Sequence, residues 1–233
     1  MERSATTATL IAGTALAAYW LPGIAQICPP VRAALRIPNR FATETGVLLS
    51  FDDGPHPQGT VALLELLAKA DATATFFLVG EQVEQRPRLA AEIAAAGHEV
   101  ALHCHRHRNL LRLTPRQLAD DLSRAYAAIA EATGREPRLY RPPYGIFSAA
   151  AVVLTRRYRW QPLLWSHDGR DWQQRATPAS IASKATRHLT RGDVILLHDA
   201  DYYSASDSWR KTIAALPEIL NTIDERGLHA SAA

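Results

Sequence analysis

Short apolar runs alternate with amphipathic stretches along most of the chain after residue 39. The run Val-Leu-Leu-Ser-Phe at 47–51 ends in Asp-Asp-Gly-Pro, which is typical of a buried strand followed by a turn. Similar runs predict strands at 72–79, 98–102, 139–141, 161–165 and 193–197. Patterns with a helical period predict helices at 60–69, 82–96, 115–132, 148–158, 178–189 and 209–225. Alternation of this kind predicts a parallel sheet covered by helices.

Several of the predicted helices have marked ends. Thr114-Pro115-Arg116-Gln117 has the form of a capping box with proline at the first helical position, and Thr177-Pro178 starts in the same way. Glycines stand where C-terminal caps belong, at Gly97, Gly134, Gly192 and Gly227.

Side chains capable of chemistry follow the predicted strands at their C-terminal ends. They are Asp52 and Asp53 after the first, His103 and His107 after the third, Arg141 at the end of the fourth, Asp168 and Asp171 after the fifth, and His198 at the end of the sixth. A closed (β/α) barrel brings all such ends to one face, whereas an open sheet gathers only those near a switch point. No glycine-rich phosphate loop follows the first strand, which weakens the nucleotide-binding alternative. The pattern therefore favours an α/β barrel.

The composition is that of an ordinary globular domain. Hydrophobic residues make up 47% of the 233 and can supply a sizeable core, and no segment repeats, which excludes disordered, collagenous and solenoid classes. The net charge is +3 and the basic residues are spread along the chain, so nucleic-acid binding is not expected. Cys28 and Cys104 are too few for a disulfide framework or a cysteine-based metal site.

Residues 1–40 form an N-terminal apolar segment, distinct from the domain at 41–233. Residues 4–31 carry no charge, and 10–21 have the apolar content of a signal sequence or the first part of a membrane span. Pro22 and Gly23 interrupt this stretch, and a cut after Ala15-Leu16-Ala17 would leave an apolar new N-terminus. We expect a membrane anchor or an uncleaved signal-like helix, with membrane association through residues 5–31.

Two observations bear on that expectation. A helix packed on the domain's own surface is the alternative interpretation of the same segment. Arg32, Arg36 and Arg40 follow the segment, and the positive-inside bias would place that flank in the cytoplasm, which opposes export.

His103 and His107 are four residues apart, so both imidazoles can reach one ion. Two histidines with one carboxylate and open positions suit a catalytic Zn²⁺ or a similar divalent metal. Solvated or capping histidines are the alternative. His105 is a rival ligand, because strand-like alternation would place it on the same side as both neighbours, and the sequence leaves that choice open.

Asp52 and Asp53 also admit two interpretations. Aspartate before Gly-Pro is a favoured turn residue for backbone reasons alone. Adjacent acids after a buried strand nevertheless point in different directions, so one can bind a metal while the other contacts the metal's water, as metal-assisted hydrolysis requires. His198 has a comparable alternative, a histidine that closes a strand.

Five motifs together resemble the polysaccharide deacetylase family, also called the NodB-homology domain or carbohydrate esterase family 4. They are, in order, Ser50-Phe-Asp-Asp-Gly-Pro55, His103-Cys-His-Arg-His107, Arg141-Pro-Pro-Tyr-Gly145, Asp168-Gly-Arg-Asp-Trp172 and Leu196-Leu-His-Asp199. The resemblance covers about residues 46–228. It implies a distorted (β/α) barrel and metal-dependent removal of acetyl groups, usually from N-acetylglucosamine polymers such as peptidoglycan or chitin, sometimes O-acetyl groups from xylan.

The resemblance also implies a role for each motif residue. Asp53, His103 and His107 would bind the divalent metal, zinc with cobalt as the alternative. Asp52 would be the general base that takes the proton of the metal's water, and protonated His198 the acid that donates to the leaving group. Arg141 would hold Asp52 ionised, Asp171 would orient His198, and the Tyr144 backbone N–H would share the oxyanion with the metal. The substrate-binding residues would be Pro142, Trp172 and Leu196, the last two around the acetyl methyl.

The motifs depart little from the family pattern. Ser50 stands where threonine is commoner, and Cys104 stands where a small hydroxyl residue commonly follows the first histidine. Cys104 would alter contacts behind the metal ligands or simply be a small buried thiol.

Three functions remain in view. The first is removal of acetyl groups from a polysaccharide, either N-acetyl groups or, in an O-acetyl xylan esterase, O-acetyl groups. The second is hydrolysis of a non-sugar amide, as in allantoinase-like relatives. The third is glycan binding without catalysis. The complete set of base, metal ligands and acid argues against the last. A polymer substrate predicts an extracytoplasmic protein, membrane-anchored or secreted.

Overall fold

The computed structural model describes residues 18–43 and 46–233, and its centre is one parallel sheet. The strands, in chain order, are β1 Gly46–Asp52, β2 Thr75–Val79, β3 Glu99–Cys104, β4 Leu139–Tyr140, β5 Gln161–Pro162, β6 His167–Asp168, β7 Val194–His198 and β8 His229–Ser231. Their order across the sheet is β5-β4-β3-β2-β1-β7-β6, and β8 pairs with the start of β1. Every pairing between these strands is parallel, so all their C-terminal ends meet at one face.

The sheet curls into a half-barrel that is open between β5 and β6. The predicted distorted barrel is thereby confirmed, but the predicted strand at 161–165 ends at Pro162. The N–H of Leu163 still donates to the carbonyl of Tyr140 on β4, and after it the backbone bonds elsewhere: the carbonyls of Leu163 and Leu164 accept from Arg141, and the N–H of Leu164 donates to Pro38. The short strands β6 and β8 are additions to the prediction.

The helices cover the outside of the sheet close to the predicted bounds. They are α1 Pro29–Leu35, α2 Gly59–Lys69, α3 Gly80–Gln85, α4 Pro87–Ala95, α5 Pro115–Thr133, α6 Ala149–Arg157, α7 Pro178–Thr186 and α8 Ser208–Glu225. The helix predicted at 82–96 is in fact α3 and α4, because the residue before a proline is kept out of the helical region and Arg86 has φ −138°. The capping boxes at Thr114 and Thr177 are confirmed.

Alternation of side chains across the strands divides the core in two. One buried cluster fills the inside of the barrel and contains Leu48, Phe77, Ala101, Leu139, Leu163 and Val194. The residues that alternate with these, such as Val47, Phe76 and Val100, join the larger cluster between the sheet and the helices.

The N-terminal segment, as far as it is described, packs on the barrel. Tyr19 Oη donates to the carbonyl of Leu113 at 2.8 Å, the carbonyl of Pro38 accepts from Leu164, and the N–H of Phe41 donates to Gly192. The described residues 18–41 therefore contact the barrel, and 38–41 connect the chain after β5 to the turn before β7. Residues 10–17 of the apolar stretch at 10–21, together with the possible cleavage site at Ala15-Leu16-Ala17, lie outside the described residues. Within 18–43 and 46–233, no helix is long and apolar enough to span a membrane.

Candidate active site

Strand alternation delivers the reactive side chains to the inside of the barrel. Leu48 points inward, so Ser50 and Asp52 on the same strand do too, and the same period brings His103 in from β3 and His198 from β7. Arg141 follows β4 two residues after inward-facing Leu139. Residues up to 146 positions apart in sequence thus share one end of the barrel.

Asp52 is paired with a buried arginine. Arg141 Nη1 lies 2.7 Å from Asp52 Oδ1, and the guanidinium is fully buried while Asp52 is 4% exposed. The other donors of Arg141 bond to Ser50 Oγ at 2.9 Å and to the carbonyl of Leu163 at 3.0 Å. The Ser50 hydroxyl also donates to the carbonyl of Ile195, so it holds the arginine in place. A threonine at this position would carry the same hydroxyl group. Asp52 is therefore held in one orientation as a charged acceptor.

Asp53 points away from its neighbour because the chain turns at this residue. Its φ is 83°, in the left-handed region that aspartate tolerates better than most residues. The next residue must be glycine, because a Cβ on Gly54 would lie 2.1 Å from the buried carboxylate of Asp199. The turn explains how two adjacent acids face two different partners.

Asp53, His103 and His107 form a cluster suited to a metal ion. Their ligand atoms all lie within 4.8 Å of one another, and Asp53 Oδ1 is 3.5 Å from His103 Nε2 and 3.4 Å from His107 Nε2. Donors bonded tetrahedrally to one zinc ion stand about 3.3 Å apart. Asp53 Oδ1 is buried without a hydrogen-bond partner, as expected of an atom whose partner is an ion. His103 Nδ1 lies 2.7 Å from the carbonyl of Arg141, which fixes the ring with Nε2 toward the cluster.

The charge states of the cluster also fit a metal. Burial alone would raise the pKa of Asp53, but the contact with His103 and the nearby His198 and His107 outweigh it and lower the pKa to about 2. Burial lowers the pKa of His107 to about 4. An ionised carboxylate and a neutral imidazole are the forms in which these groups bind divalent metals.

His105 is not part of the cluster. Strand β3 ends at Cys104, so the alternation that would have put His105 beside its neighbours stops one residue earlier. The His105 ring turns outward instead, and its Nε2 lies 3.1 Å from Glu84 Oε1 on α3. Cys104 is fully buried, and burial raises the pKa of its thiol well above the ordinary value, so it is a packed thiol rather than a ligand.

The loop after β3, which carries His105 and His107, is held in place by Asp121 of α5. This buried carboxylate accepts the backbone N–H of His105 at 2.8 Å and that of Arg106 at 3.3 Å, and it pairs with Arg108 at 2.6 Å. Sequence analysis did not single out Asp121, and Asp120-Asp121 in a helical pattern gives no signal that would have done so.

Replacing Asp121 by alanine is expected to lower the free energy of unfolding of the metal-free protein by about 2 kcal/mol, because the buried N–H of His105 and the partly buried N–H of Arg106 lose their acceptor. Urea unfolding measures this. Asp120→Ala, one residue earlier at an exposed position, is the matched control and should change stability by about 0.5 kcal/mol or less. Equal losses in both variants would show that Asp121 does not hold the loop.

His198 is oriented by a fully buried aspartate. Asp171 Oδ1 lies 2.7 Å from His198 Nδ1, and Oδ2 accepts the His198 backbone N–H at 2.7 Å and the hydroxyl of Thr212 at 2.7 Å. Burial alone would lower the pKa of His198, but the charge and hydrogen bond of Asp171 outweigh it and raise the pKa to about 10. The imidazolium is therefore the resting form near neutrality, with Nε2 free to donate.

A cleft of about 360 Å³ joins these groups. Its lining contains both acids of the first motif, the two cluster histidines, His198 and, beyond them, Tyr144, Trp165, Asp168, Trp172, Leu196, Tyr203 and Ser204. Leu196 is buried at the base, whereas Tyr144 and Trp172 are exposed at the rim. Pro142 does not line the cleft: it is buried, and its carbonyl accepts the N–H of Gly145 to close the turn that presents Tyr144.

Two rings in this cleft had no clear signal in the sequence. Tyr203 stacks on His107 with ring centroids 4.3 Å apart and planes 10° apart, and its hydroxyl donates to Glu81 Oε1 at 2.7 Å. Trp165 lies in a predicted strand and looks like a core residue. Tyr203 follows the last motif in a polar stretch of the sequence, and its contact with a metal-ligand candidate depends on the folded loop.

Comparison with known proteins agrees with this geometry. Residues 40–162 match the family model described as polysaccharide deacetylase. The chain is 32% identical to a peptidoglycan-N-acetylglucosamine deacetylase of Bacillus cereus over 82% of this chain and 86% of the relative. It is 33% identical to a chitooligosaccharide deacetylase of Bradyrhizobium sp., over 85% and 93%. A family 4 carbohydrate esterase from Streptomyces lividans, solved with acetate, superposes with a TM-score of 0.72 at 34% identity, over 81% of this chain and 93% of that one. On motifs, fold and relatives together, the chain belongs to the polysaccharide deacetylase family.

Proposed function

We propose that this protein is a metal-dependent deacetylase that hydrolyses the N-acetyl amide of an N-acetylglucosamine polymer. One observation carries the proposal: the Asp53, His103 and His107 cluster shares a single cleft with two oriented pairs, Asp52 with Arg141 and His198 with Asp171. A binding module needs no such combination of ligands, base and acid.

Asp53, His103 and His107 would hold the ion. A bound zinc or cobalt ion supplies a water of lowered pKa and an electrophile for the acetyl carbonyl. Asp52 is the base: it lies next to Asp53 but faces Arg141, so it can accept the proton of the attacking water without itself binding the metal. Arg141 aims Asp52 and balances its charge in the barrel interior.

His198 completes the reaction as the acid. The oxygen of water bonds to the acetyl carbon, the carbon–nitrogen bond breaks, and the nitrogen takes a proton from His198 Nε2, which leaves acetate and a free amine. Asp171 holds the other ring nitrogen and stabilises the protonated ring. The backbone N–H of Tyr144, at a turn where φ is 60°, is the donor offered to the oxyanion.

The cleft supports a sugar substrate over a compact non-sugar amide. Leu196 and Trp165 give the inner part an apolar surface that suits an acetyl methyl. Tyr144 and Trp172 at the rim are 55% and 41% exposed, which leaves aromatic faces on which sugar rings can stack. The names of the Bacillus cereus and Bradyrhizobium relatives support N-acetylglucosamine as the sugar.

Acetate release tests the proposal. The purified full chain, loaded with Zn²⁺ or Co²⁺, is incubated with N-acetylglucosamine oligomers, peptidoglycan and acetylated xylan, and a parallel sample receives a chelator. We expect acetate from an N-acetylglucosamine substrate, loss of the activity with chelator and its return with metal. Folded, metal-loaded protein that releases acetate from none of the three would refute the deacetylase, and release from xylan alone would reassign the acyl bond to an ester.

A further inference from the structure

Large apolar side chains are exposed together on one part of the surface. In the described residues, the N-terminal segment exposes Trp20, Leu21, Ile24 and Ile27, the last at 82%, and α6 and the residue after it expose Val153, at 61%, and Tyr158. The turn Leu21–Ile24 contacts α6, and Arg156 Nη2 of α6 bonds to the carbonyl of Leu35 at the end of α1. These residues therefore belong to one surface, which we call the N-terminal face.

The N-terminal face is also basic. Its residues come from the N-terminal segment, from the loop 110–113 that Tyr19 and Gly23 touch, and from α6. The three stretches of chain that contribute, 3–43, 100–119 and 137–167, contain no aspartate or glutamate. They carry partly or fully exposed arginines at Arg32, Arg36, Arg112, Arg116, Arg156, Arg157 and Arg159.

We propose that the N-terminal face docks on the surface of an anionic lipid bilayer. Tryptophan, leucine and isoleucine side chains enter the boundary between headgroups and acyl chains, while arginines around them contact lipid phosphates. The chain that leads into the face, from Ser4 to Val31, has no charge to oppose this contact. A second copy of the protein is a poor occupant, because it would bring two arginine-rich surfaces together. A soluble polyanion would bind the arginines but would leave the exposed apolar side chain of Ile27 without a partner.

Docking would attach one wall of the cleft to the membrane surface. Gly23 packs against Ile146 and Phe147, which directly follow the turn that presents Tyr144, and Gln26 Nε2 donates to the carbonyl of Trp165 at 3.4 Å. Tyr144 and Trp165 both line the cleft. The substrate that reaches a docked enzyme is therefore a glycan chain close to the bilayer. The glycan substrate rests on the proposed function, whereas the docking itself concerns binding alone and can be tested without the deacetylase activity.

Vesicle flotation tests the docking with the full chain and two kinds of vesicle, phosphatidylcholine alone and phosphatidylcholine with about 30% of the anionic lipid phosphatidylglycerol. We expect flotation with the anionic vesicles and weaker binding at high salt. The double variant Arg156→Glu/Arg157→Glu should reduce the partition coefficient at least about tenfold, since each basic residue near an anionic surface contributes about a factor of five. Ile24→Ser/Ile27→Ser should reduce it by a similar factor.

Matched variants elsewhere on the surface test whether vesicle binding depends on this face or on charged and apolar side chains anywhere on the protein. Arg88→Glu/Arg175→Glu changes two exposed arginines outside the face, and Val61→Ser changes an apolar side chain that is 38% exposed on α2. Both should float like the original chain, and all variants should unfold at the same urea concentration.

Three results would overturn the proposal. No flotation with anionic vesicles excludes the docking. Flotation unchanged by both face variants would place membrane binding elsewhere in the chain. Loss of binding in the arginine variant alone, with the isoleucine variant unchanged, would make the face a site for a soluble polyanion.

Discussion

Replacing Asp52 by asparagine is expected to lower kcat on an N-acetylglucosamine oligomer by about 10²- to 10⁴-fold, the usual contribution of a general base. Asparagine has nearly the same shape and keeps one oxygen to accept from Arg141, but it cannot take the proton of water. The metal should stay bound, because Asp52 faces Arg141 and is not among the three residues of the cluster.

Two measurements on Asp52→Asn decide the result: acetate production under saturating substrate, and metal per protein by elemental analysis. Loss of turnover with a full equivalent of metal identifies Asp52 as the base. A kcat near that of the original chain would show that another group accepts the proton, with cleft-lining Asp168 the next carboxylate to test. Loss of metal would instead place Asp52 in the ligand set.

Replacing His103 by alanine is expected to remove metal and activity together. The proposed site has three protein ligands, and deleting one should weaken metal affinity at least about 100-fold, since even changes to groups behind metal ligands cost about 10- to 100-fold. The same outcome is expected for His107→Ala. Competition with a metal-binding dye gives the affinity, a readout that does not depend on turnover.

His105→Gln is the control for these variants. His105 lies between the two proposed ligands in sequence, but its ring contacts Glu84 outside the barrel, where a glutamine amide can donate to the carboxylate. Metal affinity should therefore change little. Equal loss of metal in His105→Gln and His103→Ala would contradict the ligand assignment and make the loop itself, rather than particular imidazoles, responsible for binding.

Local sequence patterns were enough to predict most of the strands and helices in their order along the chain, and the end of the barrel where the chemistry lies. Buried parallel strands appear as apolar runs, and their polar continuations must meet where the strands end. Period-two alternation is also a local property, so Ser50, Asp52, His103 and His198 could be assigned to the barrel interior once the strands were known. Capping boxes at Thr114 and Thr177 involve neighbours in sequence, so they could also be predicted from the local pattern.

Two features of the site depend on the tertiary structure: the residue at which strand alternation stops, and the distant groups that support the reactive side chains. Strand β3 ends one residue before His105, and that single position separates a candidate ligand from a partner of Glu84. Asp121 holds the loop after β3 through His105, 16 positions away, and Thr212 bonds to Asp171, 41 positions away. In the sequence both look like ordinary helical residues. Likewise, the N-terminal segment was predicted to be distinct from the domain, because the hydrogen bonds that join its described part to the barrel are made to residues more than 90 positions away. Contacts of that range depend on the packing of the whole domain, and no local pattern in the chain encodes them.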